Sequence, residues 1–420
     1  MKTRHTVTLR YVAVLAIVLI LGMVPILFNF VVDPFNMNRL VDLDLDKKEI
    51  SVKAHYPLYK MIEYPRKRGT HVVLGDSRSR ALQDRYFDET GFSGAYNFAY
   101  GGATIPEIHS TYEYLRENAD VKTLIVGVPL RTFGVGHRGD LNRVPEAIRL
   151  ANAPMRYYAS WFVAKTGWAN IDDRYGETLQ KLGHLVPSLV ASAEADERQS
   201  LDDMLGERIC KKCLLPEAKT SRDLSGKLKR YSLGLGPWAT LWEEQRIVRT
   251  LPGKFARQVS KNATNDWRRF TFSDELWEKI AEIAAWCERD GIELYFFIPP
   301  TIAEMQYRIT DFGLSDINHT YRARLAQFAP VVDLDFDNPL TRDLENFNDA
   351  YHFDSGVARA IVHEFARLMS SRKQRQELTP PRDDLVRCPI DSEDKASVKT
   401  HGRLTLREGV NCRIWSISDA

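Results

Sequence analysis

The chain has almost no excess charge of either sign: 58 Lys and Arg face 56 Asp and Glu over 420 residues. That balance argues against a nucleic-acid partner, which requires clustered positive charge. Cysteine is scarce, five residues in all, which excludes a rich disulfide framework. Cys210-Lys-Lys-Cys213 is a lone CxxC without the second pair that a zinc site wants. In an oxidising compartment it reads as a local loop disulfide, with a redox or metal role as the alternative. Cys287 sits on the apolar stripe of a helix, and Cys388 and Cys412, near the C-terminus, can pair with each other. His109, His137, His184, His319 and His363 show no metal-ligand spacing, no Gly-rich nucleotide loop is present, and the chain has no internal repeat. No cofactor and no metal are expected.

One long apolar run is present. Lys2, Arg4, His5 and Arg10 precede it, it extends from Tyr11 to Val32, and Asp33-Pro34 closes it. Its length suits a bilayer span. Bulky apolar residues continue to its end, where a cleavable signal peptide would carry small residues, so it reads as an uncleaved anchor. The basic residues all precede the run, which leaves residues 1–10 in the cytoplasm and residues 33–420 outside, in the periplasm of a two-membrane bacterium. The expected location is therefore the inner (cell) membrane, single-pass, with the folded domain periplasmic or extracellular.

After a juxtamembrane segment over residues 33–69, short β-branched runs alternate with helical stretches. The runs are His71 to Leu74, Ala95 to Phe98, Thr123 to Val128, Glu293 to Ile298 and Val331 to Leu334. This alternation predicts βαβ units around a parallel five-stranded sheet, an α/β fold whose strands are covered on both faces. Ser273 or Asp274 can cap a helix with Leu276, Ile280, Ile283, Ala284 and Cys287 on one face and Gly291 at its end. A last helix begins near Asp354-Ser355, with Val357, Ile361, Phe365 and Leu368 facing inward. The α/β domain is placed at residues 70–372, with a large, mainly helical insertion over 131–271, far longer than a crossover helix requires. Tyr157, Tyr158, Trp161, Trp168, Trp238, Trp242 and Trp267 in the insertion either pack a helical subdomain or form a platform for sugar rings. Residues 373–420 form a tail whose end, Gly402 to Ser418, can pair as a hairpin.

The chemistry gathers at two places. Gly75-Asp76-Ser77 follows the first strand and opens a helix, so the Ser77 hydroxyl stands at the tip of a strand-to-helix turn with free backbone N–H groups nearby. Asp349-Ala-Tyr-His352 follows the last strand. Active sites of open parallel sheets lie at the carboxyl ends of the strands, so both elements reach one edge. Ser77 is the candidate nucleophile, His352 the base that takes and returns its proton, and Asp349 the group that orients the imidazole. Asp76 reads as a turn-former, and Arg78 and Arg80 as solvated helix residues, with neutralisation of an anionic substrate as the alternative. For the oxyanion hole the candidates are the N–H groups of Ser77 and of Gly101 or Gly102, in the loop Asn97-Phe-Ala-Tyr-Gly101-Gly102 after the second strand. The same glycines would also serve a tight turn.

The GDS serine after strand one, the Asn-x-x-x-Gly-Gly loop and the terminal Asp-x-x-His together resemble the SGNH (GDSL-type) hydrolase superfamily. The resemblance covers about residues 70–130 and 290–370. It implies a flavodoxin-like three-layer α/β/α fold, with Ser77, Asp349 and His352 as triad and Gly101 or Gly102 in the oxyanion hole. The chain departs from the pattern after the third strand. Gly127-Val-Pro-Leu-Arg131 stands where the superfamily has Gly-x-Asn-Asp, so Arg131 or a loop group substitutes, or the hole has two donors. With its anchor, the chain looks most like the membrane-anchored SGNH-like proteins of cell-envelope polysaccharide O-acylation. That resemblance implies a membrane-bound O-acyltransferase as partner and a polysaccharide as acceptor. The expected activity is serine acyl transfer or acylester hydrolysis. The alternatives are a non-catalytic scaffold that binds polymer or partner, and a hydrolase of lipids or other small esters.

Overall fold

The structure is a computed structural model that describes residues 22–135, 141–183, 246–378, 403–409 and 412–418. Cys210, Cys213, Cys388, Trp238 and Trp242 lie outside those residues, as does the first half of the expected span, residues 11–21. Among the described residues no helix is long and apolar enough to cross a membrane. The chain divides into two compact units, Met1–Val362 and His363–Ala420.

In the first unit, helix α1 (22–32) and α2 (Lys47–Lys67) precede strand β1 (His71–Leu74). Then follow α3 (Ser77–Arg80), α4 (Asp84–Asp88), β2 (Ala95–Asn97), α5 (Ile105–Asn118) and β3 (Thr123–Gly127). The insertion contributes α6 (Val144–Ala151), α7 (Pro154–Tyr158), α8 (Trp161–Gly183), α9 (Gly253–Arg257) and α10 (Ala263–Trp267). Helix α11 (Asp274–Arg289) leads into β4 (Glu293–Ile298), and α12 (Ala303–Asp311) and α13 (Ser315–Phe328) lead into β5 (Val331–Asp333). After α14 (Pro339–Arg342), helix α15 (Ser355–Leu378) closes the sequence of helices. The second unit ends in the antiparallel pair β6 (Arg403–Gly409) and β7 (Cys412–Ser418), the expected hairpin.

The five strands β1 to β5 form one sheet, all pairs parallel, in the order β2-β1-β3-β4-β5. Three strands end one residue earlier than the apolar runs suggest, at Asn97, Gly127 and Asp333. The strands are buried along nearly their whole length: Val72, Val73, Leu124, Val126, Phe296 and Phe297 are all sequestered from water. Continuous apolar runs are the signature of strands covered on both faces. The strand order reverses direction after β2, and right-handed crossovers then send α4 to one face and α5 and α11 to the other. Contacts agree: α5 meets α11 through His109 Nε2 and Glu282 Oε2 (2.5 Å) and the Tyr112 and Trp286 rings. Arg359 of α15 pairs with Glu89 just past α4.

Local chemistry explains where these helices start. Thr104 and Glu107 form a reciprocal capping box on α5, and the Ser273 hydroxyl accepts from Leu276 N–H to cap α11. The expected inner face of α11 is buried in full, joined by Trp277 and Trp286, and Gly291 turns the chain at φ +68°. On α15, Val357 and Ile361 are buried as expected, whereas Leu368 is half-buried and its neighbour Met369 takes the buried position. The aromatic residues of the insertion divide: Tyr157 and Trp267 are core, while Trp161 and Trp168 are exposed.

Candidate active site

The carboxyl ends of β1, β2 and β5 bring the sequence-derived site residues to one edge. Ser77 Oγ lies 2.8 Å from His352 Nε2, and His352 Nδ1 lies 2.9 Å from Asp349 Oδ1. Burial would raise the Asp349 carboxyl. The hydrogen bond and charge of His352, the Tyr351 N–H and the Lys254 ammonium outweigh it and hold the group well below the usual carboxylate range. An ionised carboxylate only accepts, so Nδ1 carries the imidazole proton and Nε2 is left to accept from the Ser77 hydroxyl.

Asp349 is also the organiser of its own loop. Its Oδ1 accepts the backbone N–H groups of Tyr351 and His352, each at 3.0 Å, as well as the ring. Asn348 N–H donates to the His352 carbonyl at 2.7 Å, and Phe347 pairs with Phe353, closing the loop. A carboxylate with three donors on one oxygen fixes both the loop and the tautomer before any substrate arrives.

On the β1 side, Asp76 caps α3 by accepting from Arg78 N–H, as a turn-former should. The helix is a single turn, so Ser77 gains an unpaired N–H but little of the dipole that a longer helix would supply. Arg78 is a correction to the sequence reading. It is 2 % exposed and grips Asp76 with Nη2 at 2.7 Å and Nε at 3.1 Å. Burial would raise the Asp76 carboxyl, but the charges of Arg78 and Arg131 hold it far below its ordinary value. Arg80 is half-buried, its guanidinium 5.2 Å from the centre of the Tyr56 ring.

Two glycines let α3 sit this close to the sheet. A Cβ on Gly75 would lie 2.3 Å from Ser79 Oγ, and one on Gly127 would lie 1.8 Å from the same atom. Gly75 also has φ +139°, which L side chains avoid. Gly127 is the glycine of the segment that departs from the SGNH pattern, and its structural duty here is to admit Ser79.

The loop after β2 is tied to the nucleophile turn by Tyr100 N–H, which donates to the Gly75 carbonyl at 3.0 Å. Asn97 serves as a bracket within the fold: its amide donates to the Ser79 and Leu82 carbonyls, and its oxygen accepts from Ala99 N–H. Among the described residues no acceptor takes the N–H of Ser77, Gly101 or Gly102. Arg143 Nη2 donates to the Gly101 carbonyl at 3.1 Å while its Nε and Nη2 hold Glu107, which is fully buried. Because a trans peptide is planar, pinning the Gly101 carbonyl also fixes the opposed Gly102 N–H.

Arg131 stands beside both halves of the site. Its Nη2 is 3.9 Å from Asp76 and its Nη1 3.9 Å from Asp266, and the guanidinium lies 5.1 Å from the Tyr351 ring centre. Three further residues escaped the sequence reading. Lys254 Nζ is 3.1 Å from Asp349 Oδ2, Gln258 accepts from Ala350 N–H at 2.8 Å, and Asp266 accepts from the Tyr351 hydroxyl at 3.1 Å. All three come from the end of the insertion, about ninety residues before the loop they hold, and no local pattern announces such contacts. No protein-family model matches the chain, and a search of the curated proteins finds no match.

Proposed function

We propose that this protein is a membrane-anchored, extracytoplasmic SGNH-type serine acyltransferase or acylesterase acting on cell-envelope polysaccharide. The observation that carries the reading is the continuous hydrogen-bonded chain Ser77–His352–Asp349 at the carboxyl edge of a parallel sheet. The strand order 2-1-3-4-5 supports the flavodoxin-like assignment, and Ser77 follows one of the two strands that flank its switch point.

In the reaction, Ser77 Oγ attacks the acyl carbonyl of the donor while His352 Nε2 takes the hydroxyl proton. His352 returns that proton to the departing alcohol as the donor bond breaks, leaving an acyl ester on Ser77. An acceptor hydroxyl, from a sugar or from water, then gives its proton to His352 and takes the acyl group, and His352 passes that proton to Ser77 Oγ as the acyl–serine bond breaks. The N–H groups of Ser77 and of Gly101 or Gly102 serve the oxyanion, and Arg131 is the cation nearest to where the missing Asn would act. A membrane-bound O-acyltransferase is the proposed source of acyl groups, with the anchor at residues 11–32 holding the domain beside it.

Brief exposure to an activated acetate ester, followed by peptide mass spectrometry, should find one acetyl group on Ser77. Ser77→Ala should lose both label and turnover while keeping its fold. Undiminished turnover in that variant refutes the reading. The absence of an Asn after β3 favours a second reading, a non-catalytic scaffold, which requires polysaccharide binding that survives loss of His352 and no acyl-serine at all.

A further inference from the structure

Helix α1 is the described end of the apolar run Tyr11–Val32, and one of its faces is built into the domain. Asn29 is fully buried and donates to the Tyr158 and Ser160 carbonyls at 2.6 and 2.9 Å. Phe28 and Val32 close on Gly167 of α8 so tightly that a Cβ there would lie 3.1 and 3.2 Å from their side chains. Asp33, buried, accepts from the Tyr157 hydroxyl and from the backbone N–H groups of Met37, Asn38 and Arg39. The run therefore ends in a fixed joint, with no slack between helix and domain.

Neighbouring residues of α1, Phe28 and Asn29, reach positions 167 and 160, which lie about 10 Å apart along a helix axis. Helix α1 therefore meets the chain from the residue before α8 through the first two turns of α8. The opposite face of α1 presents Met23, Val24, Leu27, Phe30 and Val31 to solvent. On α8, Trp161 (72 % exposed), Trp168 (54 %) and Tyr175 follow one another at seven-residue intervals. Heptad spacing drifts by only about 20° per step, so the three rings form one stripe about 21 Å long. That stripe lies opposite Val163, Thr166 and Asn170, which are buried.

We propose that the exposed faces of α1 and α8 form one membrane-seating surface, with the Trp161–Trp168–Tyr175 stripe lying in the headgroup boundary of a lipid bilayer. Lipid is the occupant because the α1 face continues the chain's own long apolar run. Trp and Tyr, with an apolar body and a polar handle, favour that boundary. The stripe starts beside the joint with α1, at the end of the apolar run where a bilayer boundary falls. The joint and the stripe together hold the domain at one tilt and height, which sets where the Ser77 edge meets acyl donor and polymer. This inference rests on the anchor assignment in the proposed function.

The test uses the full chain in phosphatidylcholine–phosphatidylglycerol vesicles whose acyl chains carry bromine either near the headgroup or near the chain end. Flotation reads the anchor, and tryptophan quenching reads the stripe. The chain should float with the vesicles and be quenched more by shallow than by deep bromine. In Trp161→Phe/Trp168→Phe the shallow quenching should fall by at least half, with the circular dichroism unchanged. Flotation with equal quenching in both proteins, and with the two tryptophans open to aqueous iodide, overturns the inference while sparing the anchor, and leaves a protein partner as the occupant. A chain that stays at the bottom of the gradient overturns both.

Discussion

Arg143→Met separates positioning of the oxyanion loop from simple stability. The arginine is about one-third exposed, and its side-chain contacts include two to Glu107, at 2.7 and 3.1 Å, and one to the Gly101 carbonyl at 3.1 Å. Methionine keeps most of the stem and removes all three. Glu107 is not orphaned, because it still accepts from Thr104 N–H at 3.2 Å and from the backbone N–H of residue 143 at 3.1 Å. The stability cost is therefore about 2 kcal/mol, below the roughly 3–5 kcal/mol of a buried pair broken outright. The kinetic effect is separate from that cost, because a protein that stays folded loses no rate merely by being less stable. Deleting an oxyanion donor lowers kcat by about 10²–10³-fold, and unfastening one should lower it by about 10- to 100-fold. The loss belongs in kcat with KM nearly constant, since the contact acts where charge develops. Initial rates with a soluble activated ester, alongside urea unfolding by tryptophan fluorescence, measure both quantities. Arg143→Lys should fall between wild type and Arg143→Met. A kcat within about twofold of wild type at the expected loss of stability, or a rise confined to KM, refutes the positioning of Gly102 N–H by Arg143.

Asp349→Asn should lower kcat by about 10³–10⁴-fold with the fold intact, because an amide can donate to Nδ1 and favour the wrong tautomer; a loss under tenfold on the activated ester would contradict that role. Arg78→Met should cost about 3–5 kcal/mol at neutral pH in urea unfolding, since it strands a buried carboxylate. In the wild type the folded Asp76 value is depressed, so its stabilisation is complete above the unfolded carboxylate range and is lost progressively as pH falls from there through the folded value. In Arg78→Met only Arg131 and the backbone N–H of residue 78 oppose burial, so the Asp76 carboxyl rises from its wild-type position and the penalty eases as pH falls. The gap between the two proteins should therefore narrow toward about pH 4, and a constant gap would count against the buried-pair account. Gly127→Ala should displace α3 and remove most ester turnover, and adding Ser79→Ala should restore part of it. Full activity in Gly127→Ala alone would show that the approach of Ser79 to the sheet does not matter.

Local signals were legible in the sequence and long-range ones were not. The five strands could be read because strands covered on both faces must be continuously apolar, and Ser273 could be read as a cap because its partner is three residues away. Asp349 and His352 were pairable for the same reason: one loop carries both, and their spacing lets one carboxylate reach the ring and the loop N–H groups together. Arg78 misled because an arginine on a short helix is exposed by default, and its burial depends on Asp76 being buried with it. The expected helix after Ser77 proved to be one turn, since nothing in Ser-Arg-Ser-Arg marks where a helix stops. Gly127 carried no structural reading in the sequence, and only its 1.8 Å conflict with Ser79 reveals why a side chain is excluded there.

The insertion, like the anchor and the tail, lies outside the family resemblance, yet both halves of the candidate site lean on it. Its beginning supplies Arg143, which holds the Gly101 carbonyl, and its end supplies Lys254, Gln258 and Asp266, which hold the Asp349 loop. Between these, α7 and α8 carry the joint with α1. Without these contacts the loops around Ser77 would be unsupported, and the insertion therefore belongs to the architecture of the candidate site. It follows that a shift of α8 on a membrane and a change in the setting of the oxyanion loop are mechanically linked through one short stretch, residues 143–160. That stretch is built to be stiff: Ala147 and Leu150 are buried on α6, Pro154 starts α7, and Tyr157 is locked to Asp33. A stiff link transmits position, so the setting of α8 against α1 and the setting of the Gly101 loop are not independent.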